Sequence, residues 1–185
     1  DADDDGWSDA NDAFPQVSSQ HLDADGDGYG DAALGFQPDA CPETAGTSTQ
    51  DRFGCVDSDD DGWSDANDAF PDEPTQHSDA DGDGYGDDAN GFQADGCPNQ
   101  VGTSSETLYG CVDGDGDGWA DTMDAYPDNL RLWSDTDEDG YADQPGTDLS
   151  DDCPEVYGTS TEDALGCPDT DGDGFCDGIN AVPGV

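Results

Sequence analysis

An aspartate register that returns at a fixed step constrains this chain more than any other feature. The stretch DSDDDGWSDANDAFP at 57–71 recurs as DADDDGWSDANDAFP at 1–15, DGDGDGWADTMDAYP at 113–127 and DTDGDGFCDGINAVP at 169–183, always 56 residues apart. A second motif keeps the same step: DADGDGYGD at 23–31 and 79–87, and DTDEDGYAD at 135–143. The cysteines follow suit. Cys41, Cys97 and Cys153 each precede a proline, Cys55, Cys111 and Cys167 each follow a glycine, and Gly-Thr-Ser begins at 46, 102 and 158 between them. Such a period marks a tandem array whose units touch mainly their neighbours. It divides the chain into one array of repeat 1 (1–56), repeat 2 (57–112), repeat 3 (113–168) and a partial repeat 4 (169–185).

The register matters because the chain lacks what usually drives folding. Apolar residues make up 31%, and 49 acids face only Arg52 and Arg131, for a formal charge of -47. A conventional core is out of reach, and composition alone reads as disorder. A merely acidic, salt-adapted surface would also account for the charge. Neither reading explains why the aspartates keep fixed offsets beside glycines.

Counted from its first residue, the first motif carries acids at 1, 3, 5, 9 and 12, glycine at 6 and an aromatic at 7. In repeat 2 these are Asp57, Asp59, Asp61, Asp65 and Asp68 with Gly62 and Trp63; in repeat 1, Asp1, Asp3, Asp5, Asp9 and Asp12 with Trp7. Repeat 3 has Asp113, Asp115, Asp117, Asp121 and Asp124 with Trp119, and the partial repeat has Asp169, Asp171, Asp173 and Asp177 with Phe175, where Asn180 replaces the closing acid. This is the spacing of a calcium loop: alternate side chains of a tight turn converge on one hard cation, glycine 6 allows the turn, and residue 7 offers only its carbonyl. Converging carboxylates repel one another unless a cation lies among them, so calcium supplies the folding energy that the missing core cannot.

The second motif fits through Asp23, Asp25, Asp27, Tyr29 and Asp31, through Asp79, Asp81, Asp83, Tyr85 and Asp87, and through Asp135, Asp137, Asp139, Tyr141 and Asp143. Its position 12 is Leu34, Asn90 or Gly146, none of them an acid. Asp39, Asp95 and Asp151 stand five residues later, each two residues before a Cys-Pro, and are expected to close these sites across a short Gly-Phe-Gln insertion. Repeat 3 carries QPGTDLS there instead, which makes Asp148 a competitor of Asp151.

Prolines directly after Phe14, Phe70 and Tyr126 argue against the flanking helices of an EF-hand or a dockerin, since proline inside a helix costs about 3 kcal/mol. The short glycine-aspartate period of a calcium β-roll is missing too. Taken together, DxDxDGxxDxxD at 57–68, DGDGYGD at 82–87 (as GDGYGD with Asp81 before it), DxCP at 95–98 and GTSxxxxxGCxDxDGDG over 46–62 (with Asp60 at its next-to-last glycine) resemble the thrombospondin type-3 repeat as found in long arrays of microbial surface and secreted proteins. The resemblance spans nearly the whole chain. It implies an irregular, mostly coil fold: an elongated, calcium-wrapped repeat array with little helix or strand, stapled by disulfides. The 56-residue period and the Ser/Thr-rich segment between the cysteines depart from the animal pattern.

Seven cysteines in a core-poor chain suit an oxidising, extracellular compartment. Pairing Cys41 with Cys55, Cys97 with Cys111 and Cys153 with Cys167 is simplest, each loop worth on the order of 3 kcal/mol in the chain-entropy view. Cys55 with Cys97 and Cys111 with Cys153 is the alternative. Cys176, in the place of Ser8, Ser64 and Ala120, is left as a buried small residue, a free thiol or a bond to another chain.

Thr47, Ser48 and Thr49, Thr103, Ser104 and Ser105, and Thr159, Ser160 and Thr161 read either as solvated polar loops or as O-linked glycan sites. No Asn-x-Ser/Thr sequon exists. The loop aromatics read as contacts between successive loops, with a sugar-stacking platform as the alternative. His21 and His77 give way to Trp133 in repeat 3, which argues against a repeated histidine ligand or catalyst. No catalytic constellation, phosphate loop or zinc spacing is present, so no enzyme is expected. Charge excludes nucleic acid as a partner, no apolar run is long enough to span a membrane, and the opening Asp-Ala-Asp is no signal peptide, as in a mature product or an excerpt. The expected role is structural: a calcium-stiffened extracellular or cell-surface fibril, stalk or filament, associating with copies of itself or with glycans, against the alternatives of an adhesion module or a calcium buffer.

Overall fold

A computed structural model describes residues 1–177. Among the described residues no helix and no extended strand forms; the chain runs as turns, bends and loops, joined by isolated bridges such as Gly30 with Pro38, Gly86 with Ala94 and Ala142 with Ser150. The irregular, mostly coil class is thus the observed one. Six cysteines are disulfide-bonded. Cys41 joins Cys55 and Cys153 joins Cys167, each pair with Cα atoms 5.1 Å apart, which excludes the alternative pairing through Cys55 with Cys97 and Cys111 with Cys153.

The chain divides into two compact units, Asp1–Pro98 and Asn99–Val185, so that the boundary falls inside repeat 2 instead of at a repeat edge. In the first unit each turn of chain is organised by a buried polar side chain. Gln20, 1% exposed, donates its amide to the carbonyls of Ala32 and Phe36 and accepts the Ala32 N–H at 2.9 Å. Gln76 makes the same bonds to Asp88 and Phe92. These amides satisfy loop backbone that has no helix or sheet to satisfy it. The packing is close enough that a Cβ on Gly30 or Gly35 would sit 2.2 to 2.3 Å from the Gln20 side chain.

The second unit solves the same problem with different residues. Leu132, fully buried, takes the place of Gln20 and Gln76, and Gln144 now accepts the Trp133 and Ser134 N–H groups and donates to the Ser134 hydroxyl. With the large amide gone from that position, Ala142 fits, fully buried, where the first two repeats need Gly30 and Gly86. The divergent QPGTDLS insertion of repeat 3 belongs to this exchange.

Among the described residues the buried apolar side chains are mostly small, with Leu132 the one large exception: Cys55, Cys111, Ala120, Leu132, Ala142, Ala164, Cys167 and Cys176. Cys176 is free and buried, and packs with Ala164 and the Cys153–Cys167 bridge. The middle serines of the Gly-Thr-Ser segments join this interior. Ser48, Ser104 and Ser160 are fully buried; each donates its hydroxyl to the carbonyl four residues on and accepts the N–H of Cys55, Cys111 or Cys167. A glycan has no room on these three, which corrects that part of the expectation; Thr47, Thr49, Thr103, Ser105, Thr159 and Thr161 are exposed.

Candidate metal centres

The geometry of the loops starts from their backbone. Gly6, Gly62, Gly118 and Gly174 all have φ between 92° and 101°, and Gly28, Gly84 and Gly140 match them in the second motif. L-residues rarely enter this region, so glycine at position 6 sets the turn. Position 4 is left-handed as well, filled by glycine in four loops but by Asp4, Asp60 and Glu138 in the others, at φ 62° to 65°.

Side chains then lock the turn. The first aspartate of six loops, Asp23, Asp57, Asp79, Asp113, Asp135 and Asp169, accepts the N–H of position 4 on one oxygen and of position 6 on the other. Position 3 accepts from the N–H of position 5, and position 5 from the aromatic at position 7: Asp61 to Trp63 at 2.7 Å, Asp27 to Tyr29 at 2.9 Å, Asp173 to Phe175 at 3.0 Å. What these bonds leave over is informative. The second oxygen of Asp3, Asp25, Asp59, Asp81, Asp115 and Asp137, always position 3, is buried with no hydrogen-bond partner. Asp117 Oδ2 is likewise unpartnered.

Carboxylate oxygens of Asp1, Asp3 and Asp5 lie within 4.8 Å of one another, as do those of Asp23, Asp25 and Asp27, of Asp57, Asp59 and Asp61, of Asp79, Asp81 and Asp83, and of Asp113, Asp115 and Asp117. The closing acids join them by two routes. In the first motif a single turn brings Asp68 back, its N–H on the Ser64 carbonyl at 3.0 Å, and Asp68 and Asp124 are pushed above the ordinary carboxylate range by burial and then by Asp61 and Asp117. In the second motif Asp39, Asp95 and Asp151 donate their N–H groups at 2.8 Å to the carbonyls of Gly30, Gly86 and Ala142, which folds the insertion out of the way. Their side chains are held above the usual range by burial and by Asp27 and Asp25, Asp83 and Asp81, or Asp139 and Asp137. Asp39 and Asp95 are only 7% exposed, and Oδ2 of all three is buried without a partner. Asp148, the competing acid of repeat 3, is exposed and lines a shallow cleft with Arg131.

Position 9 does something else. Asp9, Asp31, Asp65, Asp87, Asp121, Asp143 and Asp177 accept the N–H of loop residue 2, at 2.6 to 3.4 Å, closing the loop end to end. The Thr170 hydroxyl adds a bond that holds Asp177 below the usual range. Position 9 of a calcium loop often reaches its ion through water. Asn180 lies outside the described residues.

Three contributors escaped the sequence reading. Gly46 and Gly158 donate N–H groups to Oδ2 of Asp27 and Asp139 at 3.1 Å from nineteen residues away. Tyr126, which replaces Phe14 and Phe70, has a buried hydroxyl without a partner, and its pKa is pushed up to about 12 by burial and by Asp135 and Asp139. The Phe-to-Tyr change was the available signal. The aromatics of position 7 stack on a ring from the following segment: Trp7 on His21 at 4.7 Å, Trp63 on His77 at 4.6 Å, Trp119 on Trp133 at 6.2 Å. That explains why His21, His77 and Trp133 share a position.

A donor set of carboxylates with glycine turns fits a hard, oxygen-seeking dication of calcium type. No protein-family model matches the chain, and no curated protein is significantly similar to it. Among the described residues no helix is long and apolar enough to cross a membrane.

Proposed function

We propose that this chain is a calcium-binding structural repeat protein, a segment of an extracellular fibril, stalk or surface filament stiffened by bound ions. One observation carries the reading. Buried carboxylate oxygens without hydrogen-bond partners recur at position 3 of six loops and at Asp39, Asp95 and Asp151, all aimed at other carboxylates. Burying an unpaired charge is costly, and burying several together more so, unless a cation is shared among them. Asp1, Asp3, Asp5 and Asp12 and their counterparts would supply the first-motif site; Asp23, Asp25, Asp27 and Asp39 and theirs the second. Bound calcium would neutralise the cluster and fix the loop. The chain's own glycines and disulfides then keep that loop short.

Disulfides support an oxidising location outside the cell. Exposed hydroxyls such as Thr47 and Thr49 are the sites left for glycan. The test is small-angle X-ray scattering with calorimetric calcium titration, in millimolar calcium and after excess chelator. A stiff particle that expands to a coil in chelator is expected; identical profiles, or no heat of binding, refute the reading.

A calcium-dependent adhesion module is the second reading, favoured by Phe36 and Phe92, equivalent residues more than 60% exposed. Alanine at both would keep the scattering profile and abolish binding to a partner surface if adhesion is the role.

A further inference from the structure

The loop aspartates and glycines recur at the 56-residue step, but one cleft is lined by polar side chains that do not. It lies in the first unit, where the Ser/Thr-rich arm of repeat 1 meets both loops of repeat 2, and encloses about 290 Å³ among Gln50, Trp63, Thr75, His77, Asp88 and Asn90. Hydrogen bonds of the chain itself set its walls. Gln50 donates its N–H to the Gly62 carbonyl at 2.8 Å, and its neighbour Asp51 pins the arm by accepting the Ser64 N–H at 2.9 Å, the Ser64 hydroxyl at 2.8 Å and the Asn67 amide at 2.6 Å. Burial works to raise the Asp51 pKa, but these bonds outweigh it and hold the carboxyl at about 2. Trp63 and His77 stack with their planes 6° apart. The buried Gln76 accepts the Asp88 N–H at 2.9 Å, Asp88 Oδ1 accepts the Asn90 N–H at 2.9 Å, and the Thr75 Oγ accepts the Phe92 N–H at 2.7 Å.

Repeat 1 shows what that architecture needs and what it does not. Trp7 stacks on His21 there, and Gln20 accepts the Ala32 N–H at 2.9 Å as Gln76 accepts that of Asp88. Yet Ala32 and Leu34 stand where repeat 2 has Asp88 and Asn90, and repeat 3 has Gln144 and Gly146. The same backbone therefore forms without the polar pair. Among the described residues the side-chain amides of Gln50 and Asn90 have no hydrogen-bond partner, so they are free for a ligand.

We propose that this cleft binds a neutral hexose unit of a polysaccharide, with the Trp63–His77 stack as its apolar wall and Gln50, Asp88 and Asn90 as its hydrogen-bonding groups. The chemistry of the lining selects the ligand. Amide N–H groups donate while amide and carboxylate oxygens accept, and a sugar hydroxyl does both; the C–H face of a sugar ring packs on aromatic surface. An anionic ligand would enter against a formal charge of -47. An organic cation would be drawn to every acidic loop alike, and has no acceptor to offer the two amides. The volume stands at the lower end of the roughly 300–1,000 Å³ of small-molecule sites, which suits a single sugar unit with the rest of its chain outside.

The probes are cellotriose, maltotriose and mannotriose, added to the isotope-labelled full chain in millimolar calcium and followed by chemical shifts. Saturable shifts of the Trp63 indole, the His77 ring and the Gln50 and Asn90 side-chain amides are expected with at least one of them. Trp7 and His21, a stack without the polar pair, should not respond. Asp88→Ala with Asn90→Leu installs the residues of repeat 1 on a backbone that accepts them; it should leave the rest of the spectrum in place and weaken binding about tenfold or more, as the loss of two hydrogen-bonding groups implies. No shift with any of the three sugars, equal response at Trp7 and Trp63, unchanged affinity in the substituted chain, or a response of the same groups to spermidine and to no sugar each overturn the proposal.

Discussion

Replacing Asp39 by asparagine separates a metal site from a merely acidic loop, because the two predict opposite signs. Asparagine keeps the shape and the Oδ1 bond that accepts the Cys41 N–H at 2.6 Å, and changes only the buried, unpartnered oxygen. With calcium bound, one charged ligand is lost from a 7% exposed position. Removing one member of a buried ion pair costs about 3 kcal/mol or more, roughly a hundredfold in the affinity of that site. Without calcium, the same change removes a charge that Asp27, Asp25 and Asp31 repel. A like charge at about 4 Å is worth on the order of 1 kcal/mol even in water, so the substituted chain should then be the more stable. Urea unfolding followed by tryptophan fluorescence, in calcium and in chelator, with calorimetry for the ion, reads both signs. Destabilisation of equal size in both buffers would refute the reasoning, since it would mean that Asp39 acts through its hydrogen bond alone.

Asp60→Gly removes a non-glycine residue from φ 65° and should stabilise the calcium-loaded chain by about 1 kcal/mol in the same unfolding assay. Ser48→Ala removes both hydroxyl bonds and leaves the Cys55 N–H and the Arg52 carbonyl only their long 3.4 Å bond to each other, for a loss of about 1–2 kcal/mol in urea unfolding. The pH response should reverse with calcium. The carboxyls of Asp39, Asp68, Asp95 and Asp124 are raised by burial, so in chelator their contribution to stability is present below the unfolded pKa of about 4 and is lost as pH rises through the higher folded values. Acidifying the chelated chain toward pH 4 should therefore make it more compact by scattering. With calcium, protonation of the ligands competes with the ion, and the same acidification should expand the chain. Asp51 runs the other way: held at about 2, its contribution is present above about pH 4 and fades as pH falls toward 2, which sets a lower limit to the acid-stabilised range.

Much of the local fold was legible because it is made of short-range geometry. A glycine at position 6, an acid at 1, 3 and 5 and a proline after the second aromatic specify one turn almost independently of context, and Asp57, Gly62 and Trp63 adopt that turn in the structure. The 14-residue cysteine spacing likewise left a short, closable loop. Position 9 was harder to place. An aspartate that holds the loop shut and one that faces its centre have the same spacing, and only the direction of the Asp65 side chain toward the Ser58 N–H tells them apart.

Sequence by itself therefore determined that the chain repeats every 56 residues and that its carboxylates gather in loops of one design, and its prolines already argued against the helices that are absent among the described residues. Tertiary structure alone decided how the closing acids reach their sites and what covers them. Asp39 returns to Asp25 and Asp27 because its N–H finds the Gly30 carbonyl, Ser48 vanishes into the interior because it caps the chain beside Cys55, and Gln20 in one repeat is answered by Leu132 with Gln144 in another. The physical reason is common to all three. In a chain almost without apolar core, buried backbone groups must be satisfied one by one by side chains, and which side chain reaches which group depends on contacts between segments that the spacing of residues along the chain does not encode.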